Sequence, residues 1–263
     1  QMEPLYTESF FLSAGEANAE QEMALPVLVE KLIDIATAHA NSLGIGNPSM
    51  ADMHAGWVLA RLTIEMNEYP KVNDTFVIST WIESFNRHFS ERAFSIASPD
   101  GKIFGYARSV WMVMDTRNHT NVGLRHFNLP KECVLGNNPP IERQAKHAVI
   151  VCDENSEIHN GALTATCQPF DYKFLYCDLD SYRHVNTVRY VILLLNRFNL
   201  EDFDSSYVRR LELSFLHEAT YGMETRLLRS DLSMSEGELS CFLLQKSSDS
   251  TPLLFARLLR CTR

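Results

Sequence analysis

The sequence of 263 residues predicts an α+β fold in which two tandem repeats each wrap an antiparallel sheet around a buried helix. Three observations lead to this prediction. The first half contains one mostly apolar helical segment, followed by segments in which apolar and polar residues alternate. The second half repeats this order. A constant offset also places Arg61-Leu62 on Arg210-Leu211, as expected for two copies of one structural unit.

In the first repeat, residues 24–43 are predicted to form the buried helix. Pro26 suits a first helical turn, and Gly44 and Gly46 end the apolar pattern. Glu30, Asp34, Thr37 and Asn41 form one narrow polar stripe and nearly all other residues of the segment are apolar, which is typical of a buried helix. Alternating residues predict strands at 9–12, ahead of the helix, and at 58–66, 75–83, 91–98 and 102–114.

The second repeat is predicted to begin with a strand at 170–177 and a helix at 185–198, which contains the apolar run 190–195. Further strands are predicted at 208–215, 225–228, 239–244 and 253–259, with a turn at Gly222. Residues 131–162 contain the turn-forming clusters of a connector. We therefore expect one repeat at 1–130 and the other at 163–263.

The composition excludes several classes of protein. The net charge of −9, from 24 Lys and Arg against 33 Asp and Glu, argues against nucleic-acid binding. No apolar run approaches the roughly 20 residues of a membrane-spanning helix, and no signal peptide is recognised. We therefore expect a cytoplasmic protein without membrane insertion. The six cysteines form no CxxC pair and no metal or cofactor motif is present, so we expect free thiols and neither a metal nor a cofactor.

One segment, DLDSYRHVN at 178–186, places carboxylates and an imidazole between a predicted strand and a predicted helix. Two interpretations of it are open. In the structural one, Asp178, Asp180 or Ser181 caps the helix and His184 is a partly buried structural residue. In the functional one, the segment activates a water molecule, and N–H groups at the helix N-terminus stabilise an oxyanion.

The extended segment DLDSYRHVNT resembles the stretch DLDMNQHVNN of the acyl-acyl carrier protein (acyl-ACP) thioesterase family, which includes the plant fatty acyl-ACP thioesterases. The family carries a second site element, an acidic residue on a strand, and Glu218 falls at that position. The first half is also similar to the family, at residues 56–61, 69–70, 80–81 and 107–111. The resemblance covers nearly the whole chain. It implies a double hotdog fold and hydrolysis of a fatty-acyl thioester on acyl carrier protein.

The resemblance also implies roles for individual residues. Glu218 is the expected general base for the attacking water, Asp180 orients this water or polarises the thioester, and His184 binds the water or the oxyanion. Which carboxylate takes the proton stays open. Two positions depart from the family pattern, because Tyr182 replaces an asparagine and Ala219 stands where cysteine is frequent. The expected substrate-binding residues are Trp57, Tyr182, Arg183 and Asn186.

The first repeat lacks the motif, so we expect one active site per chain, in the C-terminal repeat. The N-terminal repeat is expected to bind the acyl chain in a tunnel shaped by its helix. Two alternatives remain: an acyl-CoA thioesterase, or a non-catalytic acyl- or carrier-binding protein in which Tyr182 marks a lost site. The chain is expected to be a monomer or a homodimer.

Acyl carrier proteins are acidic, so a basic surface near the motif is a candidate docking face. Ordinary surface charge is the competing interpretation of the same residues. The arginines in question are Arg183, Arg189, Arg197, Arg209 and Arg210.

Overall fold

The computed structural model describes residues 3–125, 127–144 and 169–263. Two compact units, Gln1–Arg143 and Gln144–Arg263, divide the chain. The predicted connector at 131–162 lies partly outside the described residues, as does the start of the predicted second repeat, and the boundaries at 130 and 163 stay predictions. Of the helices within the described ranges, none has both the length and the apolarity needed to cross a bilayer.

The first unit consists of five strands and one long helix. Their bounds are Leu5–Phe11 (β1), Leu25–Ser42 (α1), Ala55–Met66 (β2), Thr75–Phe85 (β3), Ser90–Ala97 (β4) and Ile103–Asp115 (β5). The strands form an antiparallel sheet in the order β1-β3-β4-β5-β2. Helix α1 contacts β1 and β3.

Helix α1 is buried, as the sequence predicts. Leu28, Val29, Leu32 and Ile35 are at most 1% exposed. The residues of the predicted polar stripe are exposed instead; they are Glu30, Asp34, Thr37 and Asn41. The other residues of the helix are mostly buried or half-buried, and burial of their apolar surface stabilises the helix within the unit.

A buried polar pair, His39 on α1 and Arg92 on β4, lies inside the first unit, with exposures of 0% and 4%. His39 Nε2 lies 2.9 Å from the Glu3 carbonyl oxygen, which can only accept, so Nε2 carries the hydrogen. Nδ1 then accepts from Arg92 at 2.7 Å. Burial, followed by the charge of Arg92, lowers the pKa of His39 to about 4, although the Glu3 carbonyl opposes this shift.

We expect the free energy of unfolding to decrease as the pH falls from about 6.5 to about 4. The unfolded chain protonates His39 near its ordinary pKa, whereas the folded protein resists protonation, so acid favours unfolding by up to about 3 kcal/mol. Urea unfolding over this pH range measures the effect. The His39→Gln amide can replace both hydrogen bonds without titrating, so this variant should depend less steeply on pH. Equal slopes for the variant and the wild type would contradict this explanation.

The second unit repeats the plan of the first. Its elements are Phe170–Lys173 (β6), Thr187–Leu195 (α2), Glu201–Asp204 (α3), Ser206–Phe215 (β7), Glu224–Met234 (β8), Gly237–Lys246 (β9) and Pro252–Thr262 (β10). The strands form an antiparallel sheet in the order β7-β10-β9-β8-β6. Helix α2 buries most of the predicted apolar run. Two units, each with an antiparallel sheet and a buried helix, confirm the predicted fold class.

The predicted boundaries around the motif are wrong in detail. Strand β6 ends at Lys173 because the Leu175 N–H donates to Asp178 Oδ2 at 2.8 Å and closes a 3-10 turn at Tyr176–Asp178. Cys177 therefore lies in this turn, with an exposed free thiol, and not in the strand. Helix α2 is shorter than the predicted 185–198, and the short helix α3 was not predicted.

Candidate active site

The two predicted site elements meet in the second unit. His184 Nε2 lies 3.5 Å from Glu218 Oε2, and the two side chains are 36% and 33% exposed. His184 lies in the loop before α2, and Glu218 follows β7. An antiparallel bridge joins His184 to Thr220, and the Val185 N–H donates to the Ala219 carbonyl at 2.8 Å. Backbone pairing thus holds an imidazole and a carboxylate side by side.

Asp180 fixes the loop that carries His184. Its Oδ1 accepts hydrogen bonds from the N–H groups of Tyr182, at 2.8 Å, and His184, at 3.0 Å. The Asp180 N–H donates in turn to the His184 carbonyl at 2.7 Å. Arg183, at the tip of the loop, has a φ of 67°, a left-handed conformation that is uncommon for a residue other than glycine.

Asp178 and Asn186 have structural contacts. The Asp178 side chain accepts from the Leu175 N–H at 2.8 Å and from the Tyr172 hydroxyl at 3.1 Å. Asn186 caps α2, because its Oδ1 accepts from the Val188 N–H at 2.9 Å. The structural interpretation, in which Asp178, Asp180 or Ser181 caps this helix, is therefore wrong on the cap, since the chain turns once more before the helix begins.

The helix cap leaves one N–H available at the start of α2. The N–H groups of Asn186 and Val188 are both engaged, by the Asp178 carbonyl and the Asn186 side chain. The N–H of Thr187, the first residue of α2, makes no hydrogen bond to any residue that the structure describes. It lies at the positive end of the helix dipole, where a developing oxyanion is stabilised.

Tyr190 was predicted only as part of the apolar run of α2, yet it lies beside the site. It is 4% exposed, and its ring packs edge-on against Phe174 and Phe215. Burial raises the pKa of the Tyr190 hydroxyl; the Ala219 backbone opposes this rise, and the charges of Glu218 and Asp180 add to it. Its helical spacing, one turn after the capping residue, is the sequence signal that could have located it.

The first unit contains a loop with the same hydrogen-bonding pattern. Asn18 Oδ1 accepts from the N–H groups of Glu20, at 3.1 Å, and Glu22, at 2.9 Å, as Asp180 does in its own loop. Gln21, at the tip, has a φ of 62°. The backbone scaffold of the site is therefore present twice in the chain.

The chemical groups of the site are present only once among the described residues. The Met23 N–H donates to the Pro70 carbonyl at 2.8 Å, which is equivalent to the bond that joins Val185 to the segment after Glu218. This correspondence identifies the counterparts of the proposed catalytic residues. In the order Asp180, His184, Glu218, the counterparts are Asn18, Glu22 and Tyr69.

The predicted substrate-binding residues lie in both units. Tyr182 is 58% exposed in the loop of the second unit, next to the exposed Arg183. Trp57 lies in the first unit, where its indole Nε1 donates to the Ile45 carbonyl at 2.7 Å and its ring stacks on Phe127. Trp57 therefore has a packing role within its own unit, and its contact with substrate stays a prediction.

The five arginines of the predicted docking face are not equally accessible. Only Arg183 is exposed, and the other four are half-buried. The Arg197 guanidinium lies 3.9 Å from the centre of the Phe170 ring, and Arg210 Nε lies 2.9 Å from Glu212 Oε1. The guanidinium groups of two of the five arginines are therefore engaged by contacts within the unit. The docking face stays a prediction.

The site offers acid–base chemistry at the His184–Glu218 pair and, three residues further along the chain, an N–H group for anion stabilisation. Glu218 can take a proton from a water molecule, His184 can donate a hydrogen bond, and the Thr187 N–H can bind an oxyanion. Across residues 3–125, 127–144 and 169–263, no group of three or more His, Cys, Asp or Glu side chains is arranged to hold a metal ion.

Comparisons with known proteins agree with this fold. The family model of the acyl-ACP thioesterase N-terminal domain matches residues 3–124, and that of the C-terminal domain matches residues 163–253. A chloroplastic palmitoyl-acyl carrier protein thioesterase of Gossypium hirsutum is 22% identical over 96% of this chain and 63% of its own length. An oleoyl-acyl carrier protein thioesterase of Arabidopsis thaliana is 26% identical over 81% of this chain and 59% of its own. The chain thus spans about 60% of the length of these two relatives.

Solved structures show the same fold. The crystal structure of an acyl-ACP thioesterase from Bacteroides thetaiotaomicron matches with a TM-score of 0.83 and 25% identity over 98% of both chains. The 12:0-ACP thioesterase from Umbellularia californica matches with a TM-score of 0.84 and 20% identity, over 100% of this chain and 96% of that one. The fold and the site define a double hotdog protein with a His–Glu pair in its second unit. Both family models match, and the chain belongs to the acyl-ACP thioesterase family.

Proposed function

We propose that this protein hydrolyses fatty acyl-ACP to free fatty acid and acyl carrier protein. The observation that carries the proposal is the pairing of His184 Nε2 with Glu218 Oε2 at 3.5 Å. Three residues after His184, the Thr187 N–H has no partner among the described residues. Membership of the family supports the choice of substrate, since its curated relatives are named as acyl-ACP thioesterases.

The proposed reaction begins with water attack. Glu218 accepts a proton from the water as its oxygen bonds to the thioester carbon. The resulting tetrahedral intermediate carries an oxyanion, which the Thr187 N–H and His184 stabilise. Collapse of the intermediate breaks the carbon–sulfur bond, and the proton held by Glu218 passes to the leaving thiolate. The products are a carboxylic acid and the carrier thiol, and the enzyme returns to its starting state.

Asp180 serves this reaction in two ways in our proposal. One carboxylate oxygen holds the loop through two N–H groups. The negative charge orients the attacking water next to His184. Tyr182, Arg183 and Asn186 are proposed to contribute to substrate binding, Asn186 by holding the start of α2. A cytoplasmic location is proposed as well, although the curated relatives are named as chloroplastic.

Hydrolysis of one acyl group presented on two carriers tests the proposal. Purified protein is expected to release free thiol from acyl-ACP with a kcat/KM at least about tenfold higher than from the matching acyl-CoA. The reverse preference would favour the acyl-CoA thioesterase alternative. Binding of both substrates without release of thiol would favour the non-catalytic alternative.

A further inference from the structure

Large apolar side chains are exposed on the chain segments that carry His184 and Glu218. Among the described residues of the second unit, seven large hydrophobic residues are exposed, and five of them lie on the two segments that bring this pair together. Tyr176 is 83% exposed and Tyr221 is 65% exposed. We call these five residues the collar. They are Leu175, Tyr176, Tyr182, Leu216 and Tyr221.

Backbone hydrogen bonds hold the two ends of the collar together. The Phe174 N–H donates to the Met223 carbonyl at 3.1 Å, and the Gly222 N–H donates to the Phe174 carbonyl at 2.8 Å. The start of the collar, at 175–176, is thereby joined to its end at 221. The loop that carries Tyr182 is fixed by Asp180. Because hydrogen bonds already hold the backbone of these segments, their side chains can bind a ligand at little cost in backbone entropy.

The duplicated loop provides an internal comparison. The first unit has the same scaffold without the His–Glu pair, and no large apolar side chain is exposed at its equivalent positions. These positions hold Ser13, Ala14, Glu20, Asn67 and Val72. Exposed aromatic residues are thus not a by-product of the loop conformation. They accompany the chemical groups, and exposed apolar surface of this kind marks binding sites.

The position of the collar limits what it can contact. Consecutive Cα atoms are about 3.8 Å apart, so the Cα of Tyr221 lies within about 11 Å of that of Glu218, and Tyr182 lies closer still to His184. In a carrier-bound thioester, the atoms at this distance from the carbonyl on the sulfur side belong to the pantetheine arm. The body of the carrier is further away.

We propose that the collar is a binding site for the pantetheine arm, the uncharged, amide-bearing chain that acyl-CoA and acyl-ACP share. This inference rests on the proposed function. The tyrosine rings pack on the dimethyl and methylene groups of the arm, and their hydroxyls hydrogen-bond its amides. Binding of the pantetheine arm to the collar then depends on contact area more than on charge.

Thioesters of one acyl group with different leaving thiols test the collar. Tyr176→Ala and Tyr221→Ala should each raise KM about tenfold for acyl-pantetheine, acyl-CoA and acyl-ACP, with kcat within about twofold. The N-acetylcysteamine thioester lacks most of the arm, and its KM should change less than about twofold. Leu200→Ala, at a residue 62% exposed and outside the collar, is the matched control and should change neither constant.

Free pantetheine provides a second measurement. It should inhibit the wild type competitively, and the two tyrosine variants about tenfold less strongly. Equal increases in KM for the N-acetylcysteamine thioester would overturn the proposal. An effect confined to acyl-ACP would assign the collar to the carrier's surface, and loss of self-association with unchanged KM would assign it to a second copy of the chain. A wild type inactive on every thioester would instead refute the proposed function.

Discussion

Replacement of Glu218 by glutamine is expected to lower kcat for acyl-ACP at least about a hundredfold, because the amide cannot accept a proton from the attacking water. The side chain is partly exposed and keeps nearly the same volume, so the melting temperature should change little. Steady-state release of the carrier thiol measures the loss. His184→Ala is expected to lower kcat to a similar extent.

The matched control is Glu224→Gln in the same unit. Its side chain is 70% exposed and lies 3.6 Å from Lys173, so the change should leave kcat within about twofold. If Glu218→Gln retained near-normal turnover, Glu218 could not be the general base.

Replacement of Asp180 by asparagine separates the charge of this residue from its role in the scaffold. Asn18 shows that an amide oxygen can accept the same two N–H groups in a loop of the same conformation. The variant should therefore fold normally. Its kcat should still fall at least about thirtyfold, since a neutral side chain orients the attacking water less strongly.

Two results together decide the role of Asp180. Asp180→Ala leaves both N–H groups without their acceptor, so it should lower kcat further and also lower the melting temperature. Wild-type kcat in Asp180→Asn would show that Asp180 only holds the loop, as Asn18 does in the first unit. Equal loss of stability in both variants would contradict the structural comparison on which this prediction rests.

Much of the fold follows from apolar periodicity. The pattern at 24–43 predicts a helix, and the structure has α1 at Leu25–Ser42. The alternation at 58–66 likewise predicts most of β2, which the structure has at Ala55–Met66. These elements are predictable because burial of one face sets their residue types. The predicted length of strand β6 is too great because its end depends on one hydrogen bond, from the Leu175 N–H to the Asp178 side chain. The pattern of apolar residues carries no information about such a bond.

The site is only partly predictable for the same reason. The motif locates Asp180 and His184, and the resemblance locates Glu218, which the structure places beside His184. The duplicated loop around Asn18 cannot be read from the sequence. Its conformation depends on an oxygen at one position and a left-handed residue, Gln21, at another, and different residue types meet both requirements.

A single turnover in ¹⁸O-labelled water tests the central claim, which is that water activated by Glu218 attacks the thioester directly. With enzyme in excess over acyl-ACP, the first fatty acid released should carry one ¹⁸O atom, and the protein should carry none. Unlabelled fatty acid in the first turnover, with ¹⁸O then found in the carboxylate of Glu218 or Asp180, would contradict the account, because it would show that a side chain attacks the substrate and forms an acyl-enzyme.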